Sequence, residues 1–187
     1  MKLGLISDTH GAVAPVRQLL TGAFADCDLV LHAGDVLYHG PRNPLPESYN
    51  PAELAEVINA SPVPFIIARG NCDSFVDEAV IDSPLLAPYA VVQWEGVRFL
   101  VTHGDLCTRE ELSTEGRRLG VRVAVFGHLH IPMLEERNGV LLVNPSSPSL
   151  PKYEVDGQPV ATYGLFEDGR VSLYRLDTDE ELFSAEV

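Results

Sequence analysis

The chain of 187 residues has only three cysteines and one tryptophan, and it lacks any long apolar run. Cys27, Cys72 and Cys107 are odd in number and irregularly spaced, so no framework of disulfides is expected. No apolar run approaches the ~20 residues that cross a membrane, and Met1-Lys2 leads directly into a predicted strand without room for a signal peptide. These absences predict a protein without a membrane span in a reducing, cytoplasmic setting.

Positive charge is also scarce. Thirteen Lys and Arg residues stand against 27 Asp and Glu residues, which gives a formal net charge of −14 at pH 7. Proteins that bind nucleic-acid polymers draw much of their affinity from Lys and Arg on phosphates, so this balance disfavours a DNA-binding module or a processive nuclease. A small phosphorylated substrate needs only local positive charge, from metals and one or two arginines, and is compatible with this composition.

Apolar runs alternate with segments of helical spacing along the chain. Together with a hydrophobic content of 45%, this alternation predicts one α/β domain over residues 1–187. We expect two packed mixed β-sheets flanked by helices, an α/β/β/α sandwich. The predicted strands lie near residues 2–7, 29–33, 64–68 and 121–126, and the predicted helices begin near Ala12 and span residues 51–60 and 109–119.

Turn signals divide the rest of the chain. Residues 90–102 are typical of an antiparallel pair turned at Glu95-Gly96, and the C-terminal part is predicted to be a meander with turns at Asn138-Gly139 and Asp168-Gly169. Residues 36–50 contain three prolines and predict a long loop of functional importance. The first strand–helix turn lacks the glycine spacing that holds a pyrophosphate, which excludes nicotinamide binding.

Five short polar clusters follow apolar runs of this pattern. The carboxyl ends of strands in an open α/β sheet meet at one crevice, so residues far apart in the chain are expected to come together there. Imidazole, carboxylate and carboxamide groups suit Mn²⁺, Fe, Zn²⁺ or Ni²⁺ better than Ca²⁺. The sequence therefore predicts a metalloenzyme. The clusters are Asp8-Thr9-His10, Gly34-Asp35, Gly70-Asn71-Cys72-Asp73, His103-Gly104 and Gly127-His128-Leu129-His130.

Each cluster alone leaves an alternative open. Asp8 and His10 are two residues apart and would project to the same side of an extended segment, but such a pair also occurs as a polar helix cap. Gly34-Asp35 and Gly70-Asn71 are turn signals as readily as ligand motifs. The pair His128-x-His130 is the strongest single indication of a metal. The order of all five clusters carries more weight than any one of them.

In this order the motifs D-x-H, G-D, G-N-x-D, H-G and G-H-x-H resemble the calcineurin-like metallophosphoesterases. The resemblance extends from Met1 to about Tyr174. Residues 34–43, 69–74 and 144–146 are similar to a subgroup of bacterial phosphodiesterases, the YfcE type. The resemblance implies the metallophosphoesterase fold.

The same resemblance implies two divalent metal ions per chain. Mn²⁺ is expected first, with Ni²⁺, Fe²⁺, Zn²⁺, Mg²⁺ or Co²⁺ as alternatives. The implied activity is hydrolysis of small phosphodiesters by a hydroxide that bridges the two metals. Asp35 would ligate both ions. The implied first set is Asp8, His10, Asp35 and His130, and the second is Asp35, Asn71, His103 and His128.

The resemblance places Asp35, Asn71, Cys72 and Asp73 in the catalytic group. Cys72 stands where many relatives have a histidine that protonates the leaving group, and a thiol is a weak donor, so good leaving groups are expected. Packing beside the site is the alternative for Cys72. Asp73 is expected to orient a neighbouring ligand.

Three further residues are candidates for binding substrate. Arg42 and His39 lie in the long loop, and Arg69 precedes Asn71 by two residues. Solvation is the alternative for Arg42, and an ion pair with Asp73 is the alternative for Arg69. His32 lies inside a predicted strand and is interpreted as a core histidine.

Other functions remain open from the sequence. A cyclic-nucleotide phosphodiesterase or nuclease would use the same ligands, and a non-catalytic scaffold of the same fold, like the retromer subunit that resembles this family, would be expected to lack some of them. The segment Leu85-Leu86-Ala87-Pro88 could form part of a homo-oligomer interface or cover the core. The physiological substrate is not predicted.

Overall fold

The computed structural model describes residues 2–187. These residues form three α-helices, one 3-10 helix at Asp77–Ala79 and fourteen strands. The helices are α1 (Val13–Thr21), α2 (Pro51–Asn59) and α3 (Arg109–Arg118). The strands are β1 (Lys2–Ile6), β2 (Leu29–His32), β3 (Phe65–Ala68), β4 (Leu85–Leu86), β5 (Ala90–Trp94), β6 (Val97–Val101), β7 (Val123–Val125), β8 (Met133–Arg137), β9 (Val140–Asn144), β10 (Glu154–Val155), β11 (Gln158–Pro159), β12 (Thr162–Glu167), β13 (Arg170–Arg175) and β14 (Glu181–Glu186).

Two mixed sheets form the centre of the fold. The seven-stranded sheet has the order β14-β13-β12-β1-β2-β3-β4, in which β1 to β4 are parallel and β12 to β14 are antiparallel additions. The five-stranded sheet has the order β5-β6-β7-β9-β8, in which β6, β7 and β9 are parallel. Strands β10 and β11 form a separate small hairpin.

Three apolar layers hold the elements together. The layer between the sheets contains alternate residues of β1, such as Leu3 and Leu5, packed with residues of the other sheet such as Phe99 and Val125. Helices α1 and α2 cover the outer face of the seven-stranded sheet, and α3 covers the five-stranded sheet. The predicted α/β/β/α sandwich is confirmed. No helix within residues 2–187 combines the length and apolar character needed to cross a membrane.

Local sequence signals explain where two of the helices begin. Asn50 accepts a hydrogen bond from the backbone N–H of Glu53, and Pro51 occupies the first turn of α2, where no N–H partner is needed. Helix α3 begins with a capping box, because Thr108 accepts from the N–H of Glu111 while the Glu111 carboxylate accepts from the N–H of Thr108.

The prediction of one C-terminal meander is wrong. The hairpin turned at Asn138-Gly139 joins the five-stranded sheet, where β9 pairs in parallel with β7. The hairpin turned at Asp168-Gly169 joins the seven-stranded sheet beside β1. The chain crosses between the sheets after Asn144, so that consecutive hairpins lie in different sheets. The long loop at residues 36–50 contains no helix or strand, as predicted.

Candidate metal centre

The predicted ligands lie just beyond the carboxyl ends of five parallel strands. Asp8 and His10 follow β1, Asp35 follows β2, and Asn71 follows β3 in the seven-stranded sheet. His103 follows β6, and His128 and His130 follow β7 in the five-stranded sheet. The cluster therefore bridges the seam between the two sheets, at the kind of edge where α/β proteins bind ligands.

One group of side chains converges on the carboxylate of Asp8. The Nε2 atom of His130 lies 3.2 Å from Asp8 Oδ1, and the Nε2 atom of His10 lies 3.7 Å from it. The two Nε2 atoms are 3.2 Å apart. All three side chains are buried, with exposed fractions of 0 to 3%. Their ligand atoms are close enough together to share one ion.

A second group converges on the carboxylate of Asp35. His103 Nε2 lies 3.3 Å from Asp35 Oδ2 and 3.1 Å from the Oδ1 atom of Asn71. The ring of His128 packs against that of His103, with ring centroids 5.1 Å apart. Asp35 Oδ2 is also 3.8 Å from His10 Nε2, so this carboxylate lies between the two groups. Its position is that expected of a shared ligand.

Backbone carbonyls fix which ring nitrogen of three histidines faces the centre. The Nδ1–H groups of His10, His103 and His130 donate to the carbonyl oxygens of Tyr38 (2.8 Å), Ala33 (2.9 Å) and Leu150 (2.6 Å). A carbonyl can only accept, so His10 and His130 direct the lone pair of Nε2 inward whenever they are neutral, and the Nε2 atom of His103 faces Asp35 and Asn71. Inward-facing imidazole nitrogens beside buried carboxylates are an arrangement that suits a cation.

The buried carboxylate of Asp8 supports the same fit. Its Oδ2 atom accepts from the backbone N–H of His128 at 3.0 Å, whereas Oδ1 is buried without a hydrogen-bond donor among residues 2–187. Such an atom costs free energy unless it has a polar partner. Oδ1 is also the atom that faces His10 and His130, so a metal ion is a chemically suitable partner for it.

The charges within the centre reinforce one another. Burial alone would raise the pKa of Asp35, but its hydrogen bond with His103 and the charge of that ring outweigh burial and bring the pKa to about 2. Burial would lower the pKa of His103, but Asp35 and Asp8 raise it to about 9. Burial lowers the pKa of His10, which favours the neutral form that ligates metals.

The backbone at five of these residues has a positive φ angle. The values are 54° at Asp8, 46° at His10, 57° at Asp35, 67° at His128 and 58° at His130. The expectation of an extended Asp8-x-His10 segment is therefore wrong: a tight left-handed turn, not strand geometry, directs both side chains inward. Asp and His tolerate this region better than most residues, and strained backbone concentrates at functional sites.

Asp73 fixes the turn that carries Asp35. Its Oδ2 atom accepts from the backbone N–H groups of Asp35 (2.9 Å) and Gly70 (2.7 Å), and its Oδ1 atom accepts from that of Val36 (2.7 Å). Both oxygens are thus used by the backbone, which makes Asp73 a positioning residue. Gly34 permits this close approach of the loops, because a Cβ atom there would lie 2.7 Å from the Gly70 nitrogen.

Cys72 lies at the edge of the centre and lines the cavity into which the centre opens. Its backbone N–H donates to Asp35 Oδ1 at 2.8 Å, and its Sγ atom lies 3.2 Å from Asn71 Nδ2. Burial, together with the nearby carboxylate of Asp35, raises the pKa of the Cys72 thiol to about 12. In the absence of a metal ion, this shift favours the neutral thiol at physiological pH.

The centre opens into a cavity of about 880 Å³, which we call the central crevice. Of the three predicted substrate-binding residues, only Arg42 lines it; His39 instead packs edge-on between the rings of Tyr38 and Tyr49. Tyr38, which belongs to the recognised stretch at residues 34–43, also lines the crevice. The sequence did not single out two further lining residues, Asp105 and Lys152, because neither belongs to a recognisable motif.

Two other side chains have clear structural partners. Arg69 forms an ion pair with Glu78, and its Cζ atom lies 4.6 Å from the centroid of the Phe75 ring. The alternative that it pairs with Asp73 is therefore wrong, and binding of substrate by Arg69 stays a prediction. His32 is buried and accepts from the N–H of Gly34, while its other ring nitrogen bonds Thr9 Oγ1. The interpretation of His32 as a core histidine is confirmed.

Comparison with known proteins agrees with this geometry. Residues 1–167 match the calcineurin-like phosphoesterase superfamily domain. The chain is 40% identical over 178 residues to phosphodiesterase YfcE of Escherichia coli strain K12, which covers 95% of this chain and 93% of that protein. It is 30% identical over 157 residues to a probable metallophosphoesterase of Methanothermobacter thermautotrophicus, covering 81% and 80% of the two chains.

Solved structures give the same result for the fold. The structure of Escherichia coli YfcE, described as a phosphoesterase, matches with a TM-score of 0.85 and 35% identity over 100% of this chain and 99% of that one. Vps29 of Entamoeba histolytica, complexed with zinc, has a TM-score of 0.70 with 19% identity over 100% and 99% of the chains, a similarity of fold alone. From its sequence match, its fold and its converging ligands, this chain belongs to the calcineurin-like phosphoesterase superfamily.

Proposed function

We propose that this protein is a metal-dependent phosphodiesterase that hydrolyses small phosphodiesters with two divalent metal ions, Mn²⁺ first among them. The observation that carries the proposal is the set of inward-facing imidazole Nε2 atoms around the buried carboxylates of Asp8 and Asp35. Three imidazoles have their Nδ1–H groups fixed on carbonyls, and a buried carboxylate oxygen lacks a donor among the described residues. Protein side chains alone leave this arrangement electrostatically incomplete.

Each proposed ion would have its own ligand set. Asp8, His10, Asp35 and His130 would hold the first ion, and Asp35, Asn71, His103 and His128 the second. When bound, two divalent cations stabilise charge on phosphoryl oxygens and lower the pKa of water. The surrounding residues orient the ligands: carbonyls set the ring tautomers, and Asp73 holds the backbone that carries Asp35.

Arg42, Cys72 and the net charge of the chain bear on which substrates are expected to bind and react. Arg42 lines the crevice and is suited to contact an anionic oxygen of the substrate. Cys72 is the only group at the position where relatives place a proton donor, and its high pKa makes it a poor one. We therefore expect preference for diesters with good leaving groups. Because the chain carries a net charge of −14, small substrates are favoured over nucleic-acid polymers.

Two further observations bear on the class of esterase and on the cellular compartment. The relative named phosphodiesterase YfcE covers nearly the whole chain, which favours a diesterase over a monoesterase. Cys27, Cys72 and Cys107 are all unpaired, as expected in the reducing cytoplasm proposed for this protein. A homo-oligomer remains open.

Metal content and substrate range test the proposal together. Elemental analysis should find about two transition-metal ions per chain. Protein supplied with Mn²⁺ should hydrolyse bis(4-nitrophenyl) phosphate faster than 4-nitrophenyl phosphate, with 2′,3′- and 3′,5′-cyclic nucleotides and single-stranded DNA completing the panel. Asp35→Asn should lower kcat/KM at least about a hundredfold, because the shared ligand loses its charge.

A matched variant controls for general effects of removing a carboxylate. Asp82 is exposed and lies outside the central crevice, so Asp82→Asn should retain parental activity. Circular dichroism and thermal melting establish that both variants fold. A protein without bound metal and without activity on the whole panel would contradict the proposal and favour a scaffold, as would undiminished hydrolysis by Asp35→Asn.

A further inference from the structure

Most of the scarce positive charge in this chain is neutralised locally. Of the 13 Lys and Arg residues, eight form ion pairs with nearby carboxylates. In a chain of net charge −14, a basic side chain without such a partner stands out. The paired residues are Lys2, Arg17, Arg69, Arg109, Arg118, Arg137, Arg170 and Arg175.

Two of the five remaining basic residues line the central crevice. Arg42 and Lys152 both border that cavity, and neither makes an ion pair or a side-chain hydrogen bond within residues 2–187. Arg98 is occupied by hydrogen bonds to Gln93 and the Leu119 carbonyl. Arg117 and Arg122 are exposed and lie away from the crevice. Two of the four basic side chains without a partner among residues 2–187 thus border one cavity.

Lys152 is positioned by the metal centre itself. Its backbone N–H donates to the carbonyl oxygen of His130 at 2.9 Å, and the Nδ1–H of His130 donates to the carbonyl oxygen of Leu150 at 2.6 Å. The segment around Lys152 is therefore attached on two sides to a candidate ligand. The flexible ammonium arm begins from a backbone position that is fixed relative to the reacting centre.

Arg42 approaches the same space from the long loop. Asn43 Nδ2 donates to the carbonyl oxygen of His39 at 2.8 Å, which closes the loop around Arg42. Gly40 lies against Cys72, since a Cβ atom there would be 3.0 Å from its Sγ atom. Two segments that are distant in sequence thus each direct one free cationic side chain to the same cavity.

A phosphodiester carries one negative charge, and the cations proposed to bind at the ligand cluster would meet it. Three carboxylates also line the crevice, but Asp35 is bonded to His103 and Asp73 to backbone N–H groups. Asp105 is the third, and it forms no ion pair with Arg42 or Lys152. A second anionic group on the substrate would supply the partner that both cations lack.

We propose that Arg42 and Lys152 form an anion-binding pair that selects phosphodiesters carrying a second anionic group, a phosphate or a carboxylate, away from the scissile bond. The inference rests on the proposed phosphodiesterase function and names its substrate class. The guanidinium and ammonium groups contact the second anion, not the reacting phosphorus, so their contribution falls on KM.

Matched substrates with one leaving group test this selection. Thymidine 5′-(4-nitrophenyl phosphate) is compared with its 3′-phosphorylated derivative, and phenyl 4-nitrophenyl phosphate with its 4-carboxyphenyl analogue. The parent should show kcat/KM at least about tenfold higher for the preferred doubly anionic member. The two pairs distinguish phosphate from carboxylate. Arg42→Gln and Lys152→Gln should each bring the ratio toward one, mainly through KM, and 0.5 M salt should do the same.

Charge-matched variants control for the loss of one positive charge. Arg117→Gln and Arg122→Gln should keep the parental ratio, and Lys152→Arg should preserve it. Equal kcat/KM for both members of each pair, or an unchanged ratio in Arg42→Gln and Lys152→Gln, would overturn the inference while leaving the proposed function intact.

Binding to metal-free protein separates the two proposals. Calorimetry with thymidine 3′,5′-bisphosphate should give an affinity at least about tenfold lower in the double Gln variant than in the parent. If no nitrophenyl ester is hydrolysed, the proposed function fails, and the bisphosphate affinities still decide whether the pair binds anions. Equal affinities in parent and variant would refute the pair.

Discussion

The two sides of the metal centre differ in their access to solvent. On one side, Asp8, His10 and His130 have exposed fractions of 0, 1 and 3%. On the other side, His103 is 1% exposed, but Asn71 and His128 are exposed. Both sides share the carboxylate of Asp35. We call the side with Asp8, His10 and His130 the closed half. We call the side with Asn71, His103 and His128 the open half.

The closed half is held by packing and hydrogen bonds, whereas the open half is held less firmly. His10 and His130 each have an Nδ1–H fixed on a backbone carbonyl, but no hydrogen bond of the His128 ring is found within residues 2–187. Oriented ligands bind metals more tightly because less freedom is lost. For the two proposed ions, we expect the closed half to retain its ion more firmly and the open half to exchange its ion and meet the substrate.

The largest expected effect comes from replacing one ligand on each side of the centre, His130 in the closed half and His128 in the open half. His130→Gln should lower kcat/KM about a hundredfold or more and leave the dialysed protein short of one ion. His128→Gln should lower it about tenfold, with recovery at millimolar Mn²⁺, since a weaker open site can be refilled. Metal analysis after dialysis and kcat/KM against Mn²⁺ concentration measure both effects. Identical losses with identical metal dependence would contradict a distinction between the halves.

A smaller effect tests whether proton donation to the leaving group limits the rate at Cys72, beside the open half. Cys72→His should introduce a stronger proton donor and raise kcat on diesters with poor, alkoxide-like leaving groups by about tenfold. Bis(4-nitrophenyl) phosphate should gain little, because its leaving group needs no proton. The ratio of the two rates is the measurement, and Cys72→Ser serves as the control for loss of the thiol. An unchanged or lower rate on the poor leaving group would contradict the interpretation.

The remaining expected effect is on stability and not on turnover, and it lies beneath the closed half, at His32. Thr9 donates its hydroxyl to the Val36 carbonyl, so His32 Nε2–H donates to Thr9 and Nδ1 accepts from Gly34. Burial lowers the pKa of His32 to about 4, below its usual 6.5. The unfolded state therefore binds more protons between these values, and the free energy of unfolding should fall as pH decreases from 6.5 toward 4.

Denaturant unfolding of the parent and His32→Gln between pH 4 and 8 measures this contribution. The difference between the two proteins should be constant above pH 6.5 and should change by no more than about 3 kcal/mol toward pH 4. Subtracting the variant removes the titration of all other groups. A difference that is independent of pH over the whole range would show that His32 does not resist protonation.

Much of the fold was predictable because burial leaves a periodic signature. The predicted strand at residues 29–33 and the predicted helix at 51–60 agree with Leu29–His32 and Pro51–Asn59 to within one residue. The sheet to which a hairpin belongs has no such signature, since both sheets accept the same apolar alternation. The hairpins turned at Asn138-Gly139 and Asp168-Gly169 were therefore placed in one meander although they lie in different sheets.

The candidate centre was predictable where side-chain chemistry is encoded in adjacent residues. The motifs of Asp8-x-His10 and His128-x-His130 signalled ligands, but not the positive φ angles that aim them. Lys152 could not be identified from the sequence, because its position beside the central crevice depends on a backbone hydrogen bond to His130. The ion pair of Arg69 could not be predicted, because its partner Glu78 lies in the short 3-10 helix at Asp77–Ala79, for which the sequence carries no recognisable pattern.

The position of the centre on the seam between the sheets has a mechanical consequence. Asp8, Asp35 and Asn71 belong to one layer of the sandwich, and His103, His128 and His130 to the other. An ion ligated by both layers would hold them together. A ligand present at a hundred times its dissociation constant raises the free energy of unfolding by about 2.7 kcal/mol. Chelation would thus loosen the sandwich as a whole, so resistance to heat and to proteases would report occupancy even in a variant that no longer turns over substrate.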